Sequence, residues 1–124
     1  MAELREIVVD ALHPAKVARF WAAALDGYEV RAYDAAEIAR LASLGLTPET
    51  DPSVLVDGPG PTLCFQKVTA PKTVENRLHL DVKAADLRGE VERLTRLGGS
   101  VKRERADRVV MRDPEGNEFC VVAR

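Results

Sequence analysis

The chain of 124 residues predicts an α+β fold: two βαβββ modules forming curved mixed sheets around a cleft, with one extra helix in the first module. Three observations carry this. The order strand, helix, three strands occurs twice, over about residues 1–70 and again over about 76–124, and a repeat of that kind sets the architecture before any motif is weighed. Ile7-Val8-Val9-Asp10 is echoed by Leu78-His79-Leu80-Asp81. Cys64-Phe65-Gln66 and Glu118-Phe119-Cys120 each follow a glycine-containing turn at matching places.

Leu4–Asp10 is short and β-branched, which suits a strand. Pro14 fits the first position of a helix, where a missing N–H costs nothing. Val17, Phe20, Trp21, Ala24 and Leu25 form its apolar face, and Gly27 can adopt the left-handed geometry that ends it. Tyr28–Tyr33 reads as a second strand. Asp34 opens the extra helix with Glu37 completing a capping box, and Ile38, Leu41 and Leu44 mark its inner side. After a loop over Thr47–Pro52 come a strand at Ser53–Asp57, a Gly58-Pro59-Gly60-Pro61 turn that no helix could cross, and a strand at Thr62–Val68. Thr69–Asn76 is a polar connector.

The second module starts with a strand at Arg77–Val82. Asp86 then caps a helix carrying Leu87, Val91, Leu94 and Leu97, stopped by Gly98-Gly99. Val101–Arg105 and Arg108–Arg112 are strands. Asp113-Pro114-Glu115-Gly116 has Asp, Pro and Gly where a type I turn wants them, and Glu118–Val122 is the last strand. Strand alternation puts Ile7, Val9, Phe65, Leu78, Leu80 and Phe119 beneath helices built on Trp21 and Leu94. Glu6, Val8, Gln66, His79, Glu118 and Cys120 fall on the opposite faces and would line the cleft.

Composition narrows the class of function. Apolar residues are 46% and charged ones 31%, which fits a globular domain able to bury its own core. Lys plus Arg is 18 against Asp plus Glu 20, a formal charge of −2, so no basic excess calls for nucleic acid. No apolar run approaches the ~18 residues of a membrane span. Met1-Ala2-Glu3-Leu4-Arg5-Glu6 has no charged-then-apolar leader pattern, which predicts a cytoplasmic protein. Cys64 and Cys120 are too few for a disulfide scaffold. Neither a phosphate loop nor a nucleophile elbow is present. Arg103, Arg105, Arg108 and Arg112 are interleaved with Glu104, Asp107 and Asp113, which reads as a solvated hairpin rather than an anion site.

With Asn76-Arg77-Leu78-His79-Leu80-Asp81-Val82, Asp113-Pro114-Glu115-Gly116-Asn117-Glu118-Phe119-Cys120 and Phe20-Trp21 in place, nearly the whole chain resembles the vicinal oxygen chelate superfamily. That group holds glyoxalase, bleomycin-resistance proteins and extradiol dioxygenases. The nearest branch is that of glyoxalase-like domain proteins of actinobacterial type, so the resemblance implies a single glyoxalase-like domain over residues 1–124. Metal-using members hold a divalent ion with side chains of the first, fourth, fifth and eighth strands, and the ion acts as a Lewis acid on adjacent substrate oxygens. Carried onto this chain, those positions are Glu6 (or Val8, in an alternative register), Gln66, His79 and Cys120.

Cys120 departs from the family's usual Glu, which breaks the hard-ligand set that Fe, Mn, Ni or Mg favours. Glu118 would replace it only after a two-residue shift of about 6.6 Å. A softer zinc-like set of Cys64, Cys120 and His79 with Glu118 or Glu6 lacks a close-spaced cysteine pair. No cofactor is therefore favoured, while a divalent metal on His79, Glu6 and Gln66 stays open. The resemblance implies a protein that binds a small organic ligand as a homodimer. A metal-dependent lyase, isomerase or dioxygenase with His79 as ligand, and an accessory domain with no activity, are the alternatives.

Overall fold

The computed structural model describes residues 1–124 apart from Ala2, Glu75 and Arg124. Glu75, within the predicted connector Thr69–Asn76, lies outside the described residues. The architecture is α+β, with two four-stranded mixed sheets and three α-helices. The chain forms two compact units, Met1–Pro71 and Lys72–Arg124, each built around one sheet.

The first unit contains β1 (Glu6–Ala11), α1 (Pro14–Ala24), β2 (Glu29–Val30), α2 (Ala35–Ser43), a single 3-10 turn (Pro48–Thr50), β3 (Ser53–Asp57) and β4 (Thr62–Lys67). Its strand order is β1-β4-β3-β2, with β1 and β4 parallel and the other pairs antiparallel. Pro14 stands at the start of α1, as its fixed φ and absent N–H favour. Val17, Ala18, Phe20 and Trp21 from α1 are buried, as are Val54, Val56, Leu63 and Phe65 from the sheet. Full burial of each large side chain contributes about 1.5–3 kcal/mol. Phe20 and Trp21 meet edge to face at 5.3 Å.

The second unit repeats the plan with β5 (Leu80–Ala84), α3 (Leu87–Arg96), β6 (Ser100–Glu104), β7 (Arg108–Arg112) and β8 (Glu118–Ala123), in the order β5-β8-β7-β6. Again the outer pair, β5 and β8, is parallel. Leu94 of α3 and Val109, Met111, Phe119 and Val121 of the sheet are buried. The turn before β8 closes through Gly116 N–H to the Asp113 carbonyl at 2.9 Å. The buried Asp113 carboxylate also accepts the backbone N–H groups of Glu115 and Asn117 and the Asn117 side chain.

Several local expectations need correction. The fifth strand begins at Leu80, not Arg77, so Leu78 is 59% exposed instead of buried, and His79 lies outside the ladder and is exposed. The reason is local: Asn76 Nδ2 donates to the Glu118 carbonyl at 3.2 Å, so a side chain takes an acceptor at the start of β8. The second strand is only Glu29–Val30, because the chain turns away toward α2, and Tyr33 hydrogen-bonds Asp51. In α2 the Asp34 carboxylate caps Glu37 N–H at 2.8 Å, but the Glu37 carboxylate binds Arg40, leaving half a capping box. Only Leu41 of α2 is buried; Ile38 and Leu44 are exposed. In β6 the register shifts between Val101 and Arg103, which makes Lys102 an extra residue.

Candidate functional site

Side chains directly opposite in a ladder point to the same side of the sheet. On the first sheet, one side carries Ile7, Val9, Leu63, Phe65, Val54 and Val56, the set that packs with α1. The other, open face is ruled by three rows: Asp10–Gln66–Ser53, Val8–Cys64–Leu55, and Glu6–Thr62. Thr62 Oγ1 extends the last row by donating to Asp57 at 2.9 Å. Arg31 joins this face through its N–H to the Leu55 carbonyl, and its Nε and Nη2 reach the two Asp57 oxygens at 2.7 and 2.9 Å. The Arg31 bonds hold the Asp57 carboxyl below the usual range against the opposing pull of desolvation, with help from Thr62.

Beside β2 and β3 this unit has a hollow of about 290 Å³, lined by residues that include Arg31, Tyr33, Asp34, Asp51, Ser53 and Leu55. Tyr33 donates its hydroxyl to Asp51 at 2.8 Å, and Asp51 also accepts the Ser53 N–H at 3.0 Å. Burial and the bonded carboxylate push the Tyr33 phenol well above its ordinary range, so it stays protonated as a donor. Tyr33 and Asp51 were legible only as a strand end and a loop residue. The one local signal is Asp51-Pro52-Ser53, a sequence suited to the Asx turn that forms there.

The open face of the second sheet has the rows Lys83–Val122–Arg108, Asp81–Cys120–Val110–Arg103 and Glu118–Arg112–Ser100. Cys120 is buried beside Arg108, whose guanidinium it meets, and Arg108 Nη1 lies 3.9 Å from Asp81. Glu118 is 6% exposed; Lys72 Nζ sits 2.9 Å from its carboxylate oxygens and Lys102 Nζ 3.5 Å from one of them. Burial alone would raise this carboxyl, yet the Lys72 bond, a backbone N–H and the charges of both lysines bring it down to about 2.

The ladders also give the register around the positions proposed for a metal. Gln66 faces Asp10 on β1, and Cys120 faces Asp81 on β5. His79 precedes Asp81 by two residues, so its counterpart on β1 is Val8, two before Asp10, and not Glu6. Glu6 lies four ladder positions from Gln66, about 13 Å along the strand, too far to share an ion with it. Glu6 instead pairs with Arg5 at 3.1 Å. The side chains left at the four positions are an aliphatic group, an amide, an exposed imidazole and a thiol with a guanidinium beside it. Among the described residues no group of three His, Cys, Asp or Glu side chains is placed to hold a metal ion. Within neither unit do these positions supply the carboxylate that a hard divalent ion favours, and in the second a cation stands next to Cys120, so they do not fit a resident divalent ion. Both cysteines are free and buried. No helix among the described residues is long and apolar enough to cross a membrane.

Two βαβββ units, each with a parallel outer strand pair and a polar open face, define the vicinal oxygen chelate class of protein. Within it the chain belongs to the glyoxalase-like domain family, whose model matches residues 6–122. Among solved structures it is similar to the fosfomycin resistance protein FosX from Mesorhizobium loti, with a TM-score of 0.68 and 12% identity over 98% of this chain and 91% of that one. It is similar to a hypothetical protein from S. aureus, with a TM-score of 0.67 and 12% identity over 100% of this chain and 95% of that one. A glyoxalase/bleomycin resistance protein from Albidiferax ferrireducens T118 gives a TM-score of 0.58 and 19% identity, with 97% of each chain covered. At these identities the likeness is one of fold. The chain has no match among curated proteins.

Proposed function

We propose that the chain is a small-molecule-binding protein of the glyoxalase/bleomycin-resistance type, holding an organic ligand against the open faces of its sheets without a resident metal. The observation that carries this reading is the hollow of about 290 Å³ on the first unit, where a fixed donor–acceptor pair, Tyr33 and Asp51, stands beside apolar Leu55. That volume is at the small end of ligand pockets, and a few placed polar groups on an otherwise shaped wall are what orients a ligand. Proteins named for resistance among the fold neighbours support a resistance-type role, and sequestration of the ligand is the form of it that needs no metal. The protein works as a homodimer, since each sheet leaves edge strands to be covered. It resides in the cytoplasm, where its two free thiols stay reduced.

Two measurements test this. Thermal shifts against a panel of aromatic and polyketide-like compounds should show stabilisation by at least one class, since binding to the native state alone raises stability. Tyr33→Phe and Ser53→Ala should weaken that compound without unfolding the protein. Elemental analysis of protein purified without added metal should find no stoichiometric ion. Near-stoichiometric Fe, Mn, Ni or Zn that disappears in His79→Ala would overturn the metal-free reading in favour of a metal-dependent enzyme. Light scattering that gave a monomer mass at micromolar concentration would remove the dimer.

A further inference from the structure

The arginines of the second unit alternate with acids in sequence, yet the fold separates them. Arg103, Arg108 and Arg112 all lie on the open face, as their rows with Val110, Val122 and Glu118 require. Glu104 pairs with Val109 and so shares the side of the helix-packed residues, and the Asp113 carboxylate is consumed inside its turn. Asp107 stays with Arg108 at 3.6 Å. With Lys83, Lys102 and Lys72 the face gathers six cations against three carboxylates, Asp81, Glu118 and Asp107. All three carboxylates are already engaged, Glu118 by Lys72 and Lys102, and Asp81 and Asp107 by Arg108. Arg103, Arg112 and Lys83 are exposed and have no ion pair among the described residues.

Between the cationic margins runs an apolar strip, Val110, Cys120 and Val122, half-buried or buried. Arg108 and Arg112 flank Val110 along β7, about 13 Å apart at their Cα atoms. A guanidinium offers two parallel N–H groups that match a carboxylate or phosphonate edge. The exposed cations, with no carboxylate left to neutralise them, call for an anion, and the valines call for an apolar body attached to it. Nucleic acid fits less well, since this face carries no aromatic side chain on which a base could stack.

We infer that the open face of the second sheet is a subsite for a carboxylate or phosphonate group carried on an apolar body, held by Arg103 and Arg112 beside Val110 and Cys120. The inference rests on the ligand-binding reading above and names the chemistry of the ligand.

The test is a titration of the isotopically labelled intact protein, followed by amide shifts, with phenylphosphonate, benzoate and uncharged benzyl alcohol. Saturable shifts confined to β6, β7 and β8 are expected with the two anions. Benzyl alcohol should bind at least tenfold more weakly, and raising the salt should weaken the anions alone. Arg112→Gln and Arg103→Gln should each cost the anions about tenfold, the size of one charge-assisted hydrogen bond, and leave benzyl alcohol unchanged. The relative response to phenylphosphonate and benzoate separates the two anion types. Equal binding of all three probes, or anion binding unaffected by both substitutions, would overturn the anionic subsite while leaving the ligand-binding reading in place. Absence of response to every probe here, together with failure of the compound panel, would remove both. A single-stranded oligonucleotide bound more tightly than either small anion would reassign the face to nucleic acid.

Discussion

The two sheets share a strand order and a pattern of parallel and antiparallel pairing, and each buries a phenylalanine at the same point, Phe65 on β4 and Phe119 on β8. Their open faces are opposite in charge. The first carries Glu6, Asp10, Asp57 and Glu29 against Arg31 and the Arg5 that pairs with Glu6. The second carries six cations against three acids, Asp81, Glu118 and Asp107. A formal charge of −2 over the whole chain hides both faces, because their charges cancel in the sum. A repeated fold thus keeps its core positions alike, where packing dictates the residue, and lets the solvent-facing rows diverge in charge.

The largest effects should come from the shared part. Phe65→Ala and Phe119→Ala each remove a side chain that is 1% exposed and leave a cavity, so each should cost about 3–5 kcal/mol. Trp21, the chain's single tryptophan, lies in the first unit and reports on it in denaturant titrations. Phe65→Ala should lower the midpoint that Trp21 fluorescence reads, and Phe119→Ala should lower amide-exchange protection in β7 and β8. Losses below about 1 kcal/mol at either site would mean that the two cores are not equivalent.

How far the sequence led can be judged from single residues. Phe65, Phe119, Leu94 and Trp21 were legible as core because periodicity reports burial directly. Leu78 was not, because the end of a ladder depends on which group takes the last carbonyl, and here the Asn76 side chain does so from a connector that looks featureless. The separation of the arginines from their sequence neighbours was hidden for a related reason: charges adjacent in sequence cancel on paper, while a strand sends neighbours to opposite sides and a turn can absorb an acid such as Asp113. Val8 was legible as the counterpart of His79 in the echo of Ile7-Val8-Val9-Asp10 by Leu78-His79-Leu80-Asp81, and the parallel registers of β1 with β4 and of β5 with β8 support it over Glu6.

Glu118 gives the next effect, of middle size, and belongs to the basic face alone. Its carboxyl titrates at about 2 in the folded protein against 4.5 for the free group, so the ionised form is favoured by folding. A lowered folded-state value means that this stabilisation is complete above pH 4.5 and is lost as pH falls from there toward 2. Glu118→Gln should therefore flatten the acid limb of the stability curve in that window. Near neutral pH it should cost about 2 kcal/mol, less than stranding a fully buried charge, since Lys72 and Lys102 keep some access to water. An acid limb unchanged by the substitution would show that the lysine clamp is not what sets this titration.

The smallest effect should fall on the acidic face, at Arg31 and Asp57. Their geometry is as good as that of the Glu118 clamp, two bonds at 2.7 and 2.9 Å, but the two side chains are 55% and 38% exposed. Water already solvates both groups, so little is gained by pairing them, and salt screens what remains. A double-mutant cycle of Arg31→Ala and Asp57→Ala should give a coupling of about 0.2–1 kcal/mol that shrinks further as salt is raised. Arg31→Ala also removes a cation from that face, which sharpens the charge contrast with the second sheet while leaving the fold intact. A coupling above about 2 kcal/mol would show that the pair is shielded from water in solution.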